Sequence, residues 1–163
     1  MDWDISAIAT VSMSGVILAT AIIALGQLRE IQKSRRSDAF TNLVQFLQRE
    51  DIREARRILI RELSKKSFNS WTPDERQKAE MACHTYAAAG MMEEEGYVKK
   101  GFIAKEWHNS IVQCWEAAEP MITEYRDDRG KDFWFRFERL YKRAKKYEEA
   151  LKQKDIRESK KGG

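Results

Sequence analysis

The chain of 163 residues has a net charge of +4 at pH 7, eight glycines, two prolines and two cysteines. So few turn-forming residues exclude a sheet protein with many turns and a disordered linker protein, and the helix formers that dominate the second half favour an all-α fold. Cys83 and Cys114 lie far apart inside apolar helical patterns. We therefore expect two buried thiols rather than a disulfide framework.

The first element is an uncharged segment over residues 5–26. It is as long as the roughly 20 residues that a helix needs to cross a bilayer core of about 30 Å, and its polar side chains are hydroxyls, which can bond back to their own helix. A cleaved signal peptide fits less well because Asp2 and Asp4 precede a long apolar run. A buried core helix would need a second segment this apolar to pack on, and none follows. The pattern predicts one N-terminal transmembrane helix over residues 5–26.

The two flanks of this segment differ in charge. No Lys or Arg precedes it, and a basic cluster follows it directly. The positive-inside bias therefore predicts a single-pass protein of the cell inner membrane, with its N-terminus outside and its C-terminal domain in the cytoplasm. The residues predicted to contact lipid headgroups are Arg29, Lys33, Arg35 and Arg36.

One face of the predicted span carries small side chains at regular helical spacing. Small residues let two helices approach closely, so this face is a candidate seam for a homo-oligomer. The same residue types are also common in membrane helices generally, and the sequence leaves both interpretations open. The candidate seam residues are Ala7, Ser14, Gly15, Ala19 and Ala21.

Residues 36–151 are predicted to form a cytoplasmic bundle of about four to six helices. Apolar residues share a helical face on each side of Glu50-Asp51, which predicts two helices or one bent helix. Thr72 to Glu75 reads Thr-Pro-Asp-Glu, a capping box with proline at the first helical position, and so predicts a helix start. The helix that follows carries small residues on one face as far as Gly90, so we expect a close helix–helix contact there.

The second half of this domain contains two further predicted helices. One runs from Gly101 to Gly130, with Ile103 and Trp107 turned inward and Pro120 as a kink. The last helix has apolar residues at heptad spacing, a seam that packs either within the domain or against another chain. The residues of this seam are Phe133, Phe137, Leu140, Ala144, Tyr147 and Leu151.

Two smaller expectations concern the end of the chain. Arg126 and Glu138 are predicted to form a polar pair between the last two helices. Residues 152–163 are predicted to be a charged tail that frays, because Ile156 is its single apolar residue.

The two histidines, His84 and His108, are the first candidates for chemistry. Glu80 lies one turn before His84, but two ligands do not make a metal site, and His108 has no partner in the sequence. Helical nucleases of the HEPN type place an Arg a few residues before a His, and neither histidine has one at that spacing; Lys78 leaves a degenerate version open. Phosphate-binding loops and nucleophile elbows are absent from the sequence. We expect no catalytic residue, no metal and no cofactor.

Two basic stretches have more than one interpretation. A stripe on the second soluble helix is interpreted as a solvated face interspersed with glutamates, in preference to a surface for anionic headgroups. Its residues are Arg53, Arg56, Arg57 and Arg61. The basic C-terminal run is compatible with lipid binding, nucleic-acid binding or solubility. Few aromatic residues are interleaved with it, so no nucleic-acid partner is predicted.

The segment from Tyr86 to Ala144 carries a family resemblance. Its markers in chain order are a helix ending near Gly90, the passage from Gly96 to Gly101, the helix containing Trp107 and Trp115, the run from Ile122 to Arg126, the turn at Gly130 and the run from Phe137 to Tyr141. Joined to one predicted span and a basic flank, this order resembles the bacterial single-span membrane proteins of the family called domain of unknown function 4760. The resemblance implies a membrane-anchored helical domain without an established activity. The architecture is also similar to the pore-forming membrane accessory protein of some RNA-targeting CRISPR systems.

These features together predict a non-enzymatic, membrane-anchored helical protein. Its domain would mediate assembly or partner binding at the inner face of the cytoplasmic membrane. The expected partners are the lipid bilayer, a second copy of the chain, and a protein that the sequence does not identify. The alternative is a membrane-tethered defence effector, either an oligomeric pore or a degenerate HEPN-like nuclease.

Overall fold

A computed structural model describes the backbone of residues 5–159 and the side chains of residues 20–159. Within these residues the chain forms six α-helices and two short 3-10 turns, and no strand. The prediction of an all-α fold is confirmed. The helices are α1 (Ile5–Gln48), α2 (Glu50–Arg61), α3 (Pro73–Glu94), α4 (Phe102–Glu106), α5 (His108–Arg129) and α6 (Phe135–Ser159), and the 3-10 turns are Leu63–Lys65 and Phe68–Ser70.

The chain divides into two compact units, Met1–Ala39 and Phe40–Gly163. The first unit contains most of α1. Among the residues that the structure describes, no helix combines the length and the apolarity needed to cross a membrane. Much of the predicted span, residues 5–19, lies outside the residues whose side chains are described. The transmembrane helix over residues 5–26 therefore stays a prediction.

The core of the second unit lies between α2, α3, α5 and α6. α2 contributes Ile52 and Leu59 from one face, and the last turns of α1 contribute Leu43 and Leu47. Burying one such side chain completely contributes roughly 2 kcal/mol to the free energy of unfolding. Cys83 and Cys114 are free and buried in the same core, so the prediction of two buried thiols is confirmed.

The small-residue face of α3 lies against α6. Gly90 is buried, and a Cβ atom placed on it would lie 2.9 Å from the carbonyl oxygen of Arg136. Backbones this close leave no room for a side chain. The expected close helix–helix contact at Gly90 is therefore confirmed, and α6 is the partner helix.

Local sequence signals place two helix boundaries. The chain leaves helical geometry at Arg49, between α1 and α2, next to the predicted break at Glu50-Asp51. The capping box at the start of α3 is confirmed: the Thr72 hydroxyl accepts from the Glu75 amide at 3.3 Å, and the Thr72 amide donates to the Glu75 carboxylate at 2.8 Å. Pro120 lies inside α5, which continues through it.

The prediction of one helix from Gly101 to Gly130 is wrong, because the segment forms α4 and α5 with a break at Trp107. Trp107 has φ −118° and ψ 18°, and its ring packs against Phe102 with the centroids 6.3 Å apart. Ile103 and Ile111 are fully buried on the two sides of the break. The helical spacing of apolar residues therefore continues across the break and conceals it.

The predicted seam of the last helix packs within the domain. Phe137, Leu140 and Ala144 are fully buried in the core, and Tyr147 and Leu151 are half-buried. Phe133 is half-buried and lies just before α6. The face formed by the three buried residues is covered by α3 and α5 of the same chain, so it is not free for a second copy.

The segment predicted as a charged tail begins inside α6. The helix continues through Ser159, and its exposed last turns carry ion pairs between residues four apart, Lys152 with Glu148 and Lys154 with Glu158. Such pairs stabilise a helix by about 0.2–0.5 kcal/mol each. Residues 160–163 of the predicted tail lie outside the described residues.

Candidate functional site

A cleft of about 360 Å³ opens between α2 and α5. Ser110 and Gln113 line it from α5, and charged residues line it from α2. The charged residues are Arg53, Arg56, Arg57, Arg61, Glu50 and Glu54. Four guanidinium groups and two carboxylates give the lining a net positive charge at neutral pH. A concave surface of one prevailing sign attracts ligands of the opposite sign, so the cleft favours an anion.

Arg56 distinguishes this cleft from an ordinary charged surface. It is 7% exposed, because it lies on the face of α2 that carries Ile52 and Leu59 into the core. Its Nη2 donates to the carbonyl oxygen of Leu47 at 2.7 Å, in the last turn of α1, where carbonyl groups lack intrahelical partners. Its guanidinium carbon lies 5.6 Å from the centre of the Tyr86 ring, a favourable cation–π distance.

The second terminal nitrogen of Arg56, Nη1, has no hydrogen-bond partner. Nor is Arg56 a member of any ion pair in the part of the chain that the structure describes. A buried polar group without a partner costs about 1–3 kcal/mol, and more when it is charged. An acceptor placed against Nη1 would remove this cost.

Ser110 lines the cleft without charge, and Tyr86 lies buried behind it and beside Arg56. The Tyr86 hydroxyl donates to Oγ of Ser110 at 2.8 Å. Burial raises the pKa of Tyr86 by more than the neighbouring Arg56 lowers it. The tyrosine is therefore a neutral hydrogen-bond donor at neutral pH, and it supplies no negative charge to pair with Arg56.

A second cleft of about 390 Å³ adjoins the first and shares Ile60 and Gln113 with it. Trp71 lines this second cleft, is 5% exposed, and its Nε1 also lacks a hydrogen-bond partner. Each of the two adjoining clefts is thus lined by one buried residue with an unpartnered donor, Arg56 in the first and Trp71 in the second.

The interpretation of the arginine stripe as a solvated face is wrong for one of its four residues. Arg53, Arg57 and Arg61 are exposed, and Arg53 forms an ion pair with Glu50 at 3.6 Å. Arg56 is buried. The signal was present in the sequence, because Arg56 follows Ile52 by four residues and precedes Leu59 by three, so it occupies the centre of an apolar face.

Each of the two histidines forms a hydrogen bond within the helical domain. Nδ1 of His84 accepts a hydrogen bond from the Trp134 indole at 3.3 Å, and Nδ1 of His108 donates to the Lys105 carbonyl oxygen at 2.9 Å. Lys78, which left a degenerate nuclease motif open, forms an ion pair with Asp74 at 3.3 Å. Lys78 and His84 therefore take part in separate interactions.

Two polar clusters stabilise the domain around α6. The expected pair of Arg126 and Glu138 is confirmed, with Nη2 donating to the carboxylate at 2.7 Å. The second cluster was missed: Glu93 is 4% exposed and accepts from the amides of Gly101 and Ile103 at 3.2 and 2.8 Å and from Arg143 at 3.0 Å. Glu93 thereby caps the start of α4. In the sequence it is one of three successive glutamates, which gives no sign of its burial.

The residues predicted to act at the membrane lie in the first unit. The four predicted headgroup contacts are all exposed, as is Ala21 of the candidate oligomer seam. The other seam residues, Ala7, Ser14, Gly15 and Ala19, lie outside the residues whose side chains are described. Both roles stay predictions.

The fold and the α2–α5 cleft define a small all-helical domain with a basic groove. Within the described residues there is no group of three or more His, Cys, Asp or Glu side chains that could hold a metal ion. The family model "Domain of unknown function (DUF4760)" matches residues 14–144. The chain belongs to this family, as its helical and aromatic markers indicated. No curated protein and no solved structure matches it.

Proposed function

We propose that the chain is a membrane-anchored, non-enzymatic protein whose helical domain mediates assembly or partner binding at the inner face of the cytoplasmic membrane. The observation that carries the proposal is a concentration of exposed apolar side chains in α1. Ile22, Ile23, Leu25 and Leu28 are 63%, 60%, 57% and 55% exposed. Large apolar groups exposed together mark surfaces that another apolar phase or molecule covers.

The positions of these four side chains indicate that lipid, rather than a single protein partner, covers this part of α1. At 3.6 residues per turn, residues 22, 23, 25 and 28 point to different sides of the helix rather than along one stripe. A helix that is apolar on all sides suits a uniformly apolar environment, whereas a helix partner needs one apolar face. The uncharged sequence from residue 5 to residue 26 extends this apolar character toward the N-terminus.

The orientation follows from the four basic residues that come next. Arg29, Lys33, Arg35 and Arg36 are exposed, so their charges are available to anionic headgroups. Each basic residue near such a surface contributes about 1 kcal/mol to binding. The positive-inside bias then assigns the helical domain to the cytoplasmic side.

The surroundings of the two histidines and of the α2–α5 cleft favour a binding role over a catalytic one. Nδ1 of His84 is engaged by the Trp134 indole and Nδ1 of His108 by the Lys105 carbonyl group, and neither partner is a nucleophile. The α2–α5 cleft, in contrast, offers an open surface with an unpartnered buried donor.

Extraction of membranes at alkaline pH tests the anchor. Membranes from cells that express the full chain are washed with carbonate, and we expect the protein to stay in the pellet. The double variant Ile22→Lys/Ile23→Lys should be released more readily, because it places two charges inside the predicted span. Such a charge costs about 3 kcal/mol at the bilayer centre and less near the end of the span, where these two positions lie.

The matched control is Ile156→Lys, which replaces a similarly exposed isoleucine on α6 and should leave the protein in the pellet. Recovery of the unaltered chain in the soluble fraction would overturn the anchor. Release of all three proteins to the same extent would show that peripheral contacts, rather than α1, hold it at the membrane.

A further inference from the structure

We propose that the α2–α5 cleft binds a phosphate group, held by Arg56 from the floor and by Arg57 and Arg61 from the rim. The proposal does not depend on the membrane anchor. It rests on two observations: Arg56 is a buried residue at the floor of an open cleft, and its Nη1 has no hydrogen-bond partner.

The chemistry of the lining selects the anion. A guanidinium presents its donors in a planar fork that matches the oxygens of a phosphate, and such charge-assisted bonds are about twice as strong as neutral ones. Arg56 can engage an oxygen through Nη1 while Nη2 stays on the Leu47 carbonyl. Arg57 and Arg61, one turn apart on α2, are exposed and form none of the ion pairs among the described side chains.

The two glutamates of the lining limit the charge of the ligand. Glu50 is paired with Arg53 at 3.6 Å, and Glu54 lines the same cleft. Four arginines less two glutamates leave a net charge of +2, which matches a phosphate monoester of about −1.5 to −2. A polyanion such as nucleic acid would bring further phosphates against the carboxylates. The cleft is therefore suited to a single phosphate group.

The volume of the cleft limits the size of the molecule that carries the phosphate group. Its volume of about 360 Å³ is at the lower end of the roughly 300–1,000 Å³ typical of small-molecule sites. A phosphate with a small organic substituent fills such a space. Both a soluble phosphomonoester and the headgroup of a phospholipid meet this description.

Titration calorimetry on the full chain in an uncharged detergent tests the proposal. Two probes separate the sources of the phosphate group: inorganic phosphate, and a short-chain phosphatidic acid. We expect at least one of them to bind, with an affinity that falls as salt is added. Tighter binding of the phosphatidic acid, by about tenfold or more, assigns the site to a headgroup. Equal or weaker binding assigns it to a soluble phosphate.

Substitutions of the cleft arginines test whether the phosphate binds in the α2–α5 cleft. Arg56→Lys keeps the charge but replaces the planar fork by a single nitrogen, so it loses the separate donors for Leu47 and for the phosphate and should weaken binding about tenfold. Arg57→Ala/Arg61→Ala alters exposed residues only, so it should weaken binding by a similar factor without affecting the fold. Arg157→Ala, an exposed arginine on α6, is the matched control and should bind like the parent protein.

Circular dichroism confirms that each variant is folded, and the double variant keeps the test independent of any folding defect in Arg56→Lys. The proposal is overturned if neither probe binds. It is also overturned if Arg57→Ala/Arg61→Ala binds as tightly as Arg157→Ala, because the ions would then be held by charge elsewhere on the protein.

Discussion

At the scale of single residues, Glu138 shows how one side chain links stability to pH. Its carboxylate accepts from Lys142 at 2.5 Å and from Arg126 at 2.7 Å. The hydrogen bond from Lys142, followed by that from Arg126, lowers the pKa of Glu138 below the ordinary glutamate value of 4.5. A carboxyl group with a lowered pKa in the folded state stabilises the protein above the unfolded pKa, and this contribution is lost as the pH falls through the folded pKa.

We therefore expect the thermal midpoint of the full chain to fall as the pH is lowered below 4.5, with Glu138 responsible for part of the fall. Glu138→Gln should lower the free energy of unfolding at neutral pH by about 1 kcal/mol and should reduce the further loss in acid. Circular dichroism during heating, at neutral pH and in acid, measures both effects.

Glu119→Gln is the control for this prediction, because it removes an exposed carboxylate of α5. It should preserve the acid-induced loss of the parent protein. An equal acid-induced loss in Glu138→Gln and the parent would show that Glu138 has no part in it.

Residue-scale prediction from the sequence succeeded for Arg126 with Glu138 and failed for Arg56 and Glu93. The first pair joins opposite charges on two helices that the apolar pattern already placed side by side. Arg56 and Glu93 are charged residues inside the core, and composition assigns charged residues to the surface. Their burial depends on partners distant in the sequence, the Leu47 carbonyl and the backbone of α4.

At the scale of elements, Gly90 sets the distance between α3 and α6. A Cβ atom at this position would meet the carbonyl oxygen of Arg136 at 2.9 Å. Because this oxygen belongs to the backbone of α6, it can move away from the added Cβ atom only if the helix itself shifts. Overpacking of this kind costs about 1–3 kcal/mol, which exceeds the gain of about 1 kcal/mol in helix propensity from glycine to alanine.

Gly90→Ala should therefore lower the thermal midpoint of the domain, as measured by circular dichroism of the full chain in detergent. Gly26→Ala is the comparison, since a Cβ atom there has no neighbour within 4 Å, and it should not lower the midpoint. A rise of the midpoint in Gly90→Ala would mean that the two helices are not held together at this point.

Element-scale prediction worked where local chemistry marks a boundary. The capping box at Thr72 and the break near Glu50 are set by side chains within one turn of the helix end. The break at Trp107 has no such signal: proline and glycine are absent there, and buried residues continue on both sides. The fold of α4 instead depends on the carboxylate of Glu93, contributed by another helix.

At the scale of the whole molecule, the buried cysteines make the proposed orientation measurable. Cys83 and Cys114 are both completely buried. Burial raises the pKa of the Cys83 thiol well above its ordinary value and that of Cys114 to about 12. Neither thiol forms the reactive thiolate at neutral pH, and neither is accessible. The folded parent protein should therefore not react with a maleimide that cannot cross membranes, and it should react after denaturation.

Single added cysteines then report the side of the membrane on which each part lies. Asp2→Cys probes the N-terminus, and Lys99→Cys probes the exposed connection between α3 and α4. In intact cells the reagent should label Asp2→Cys and spare Lys99→Cys, because the basic residues after the predicted span retain the domain inside. In inverted membrane vesicles the pattern should reverse. Labelling of Lys99→Cys alone in intact cells would establish the opposite orientation, and labelling of both variants on the same side would show that α1 does not span the bilayer.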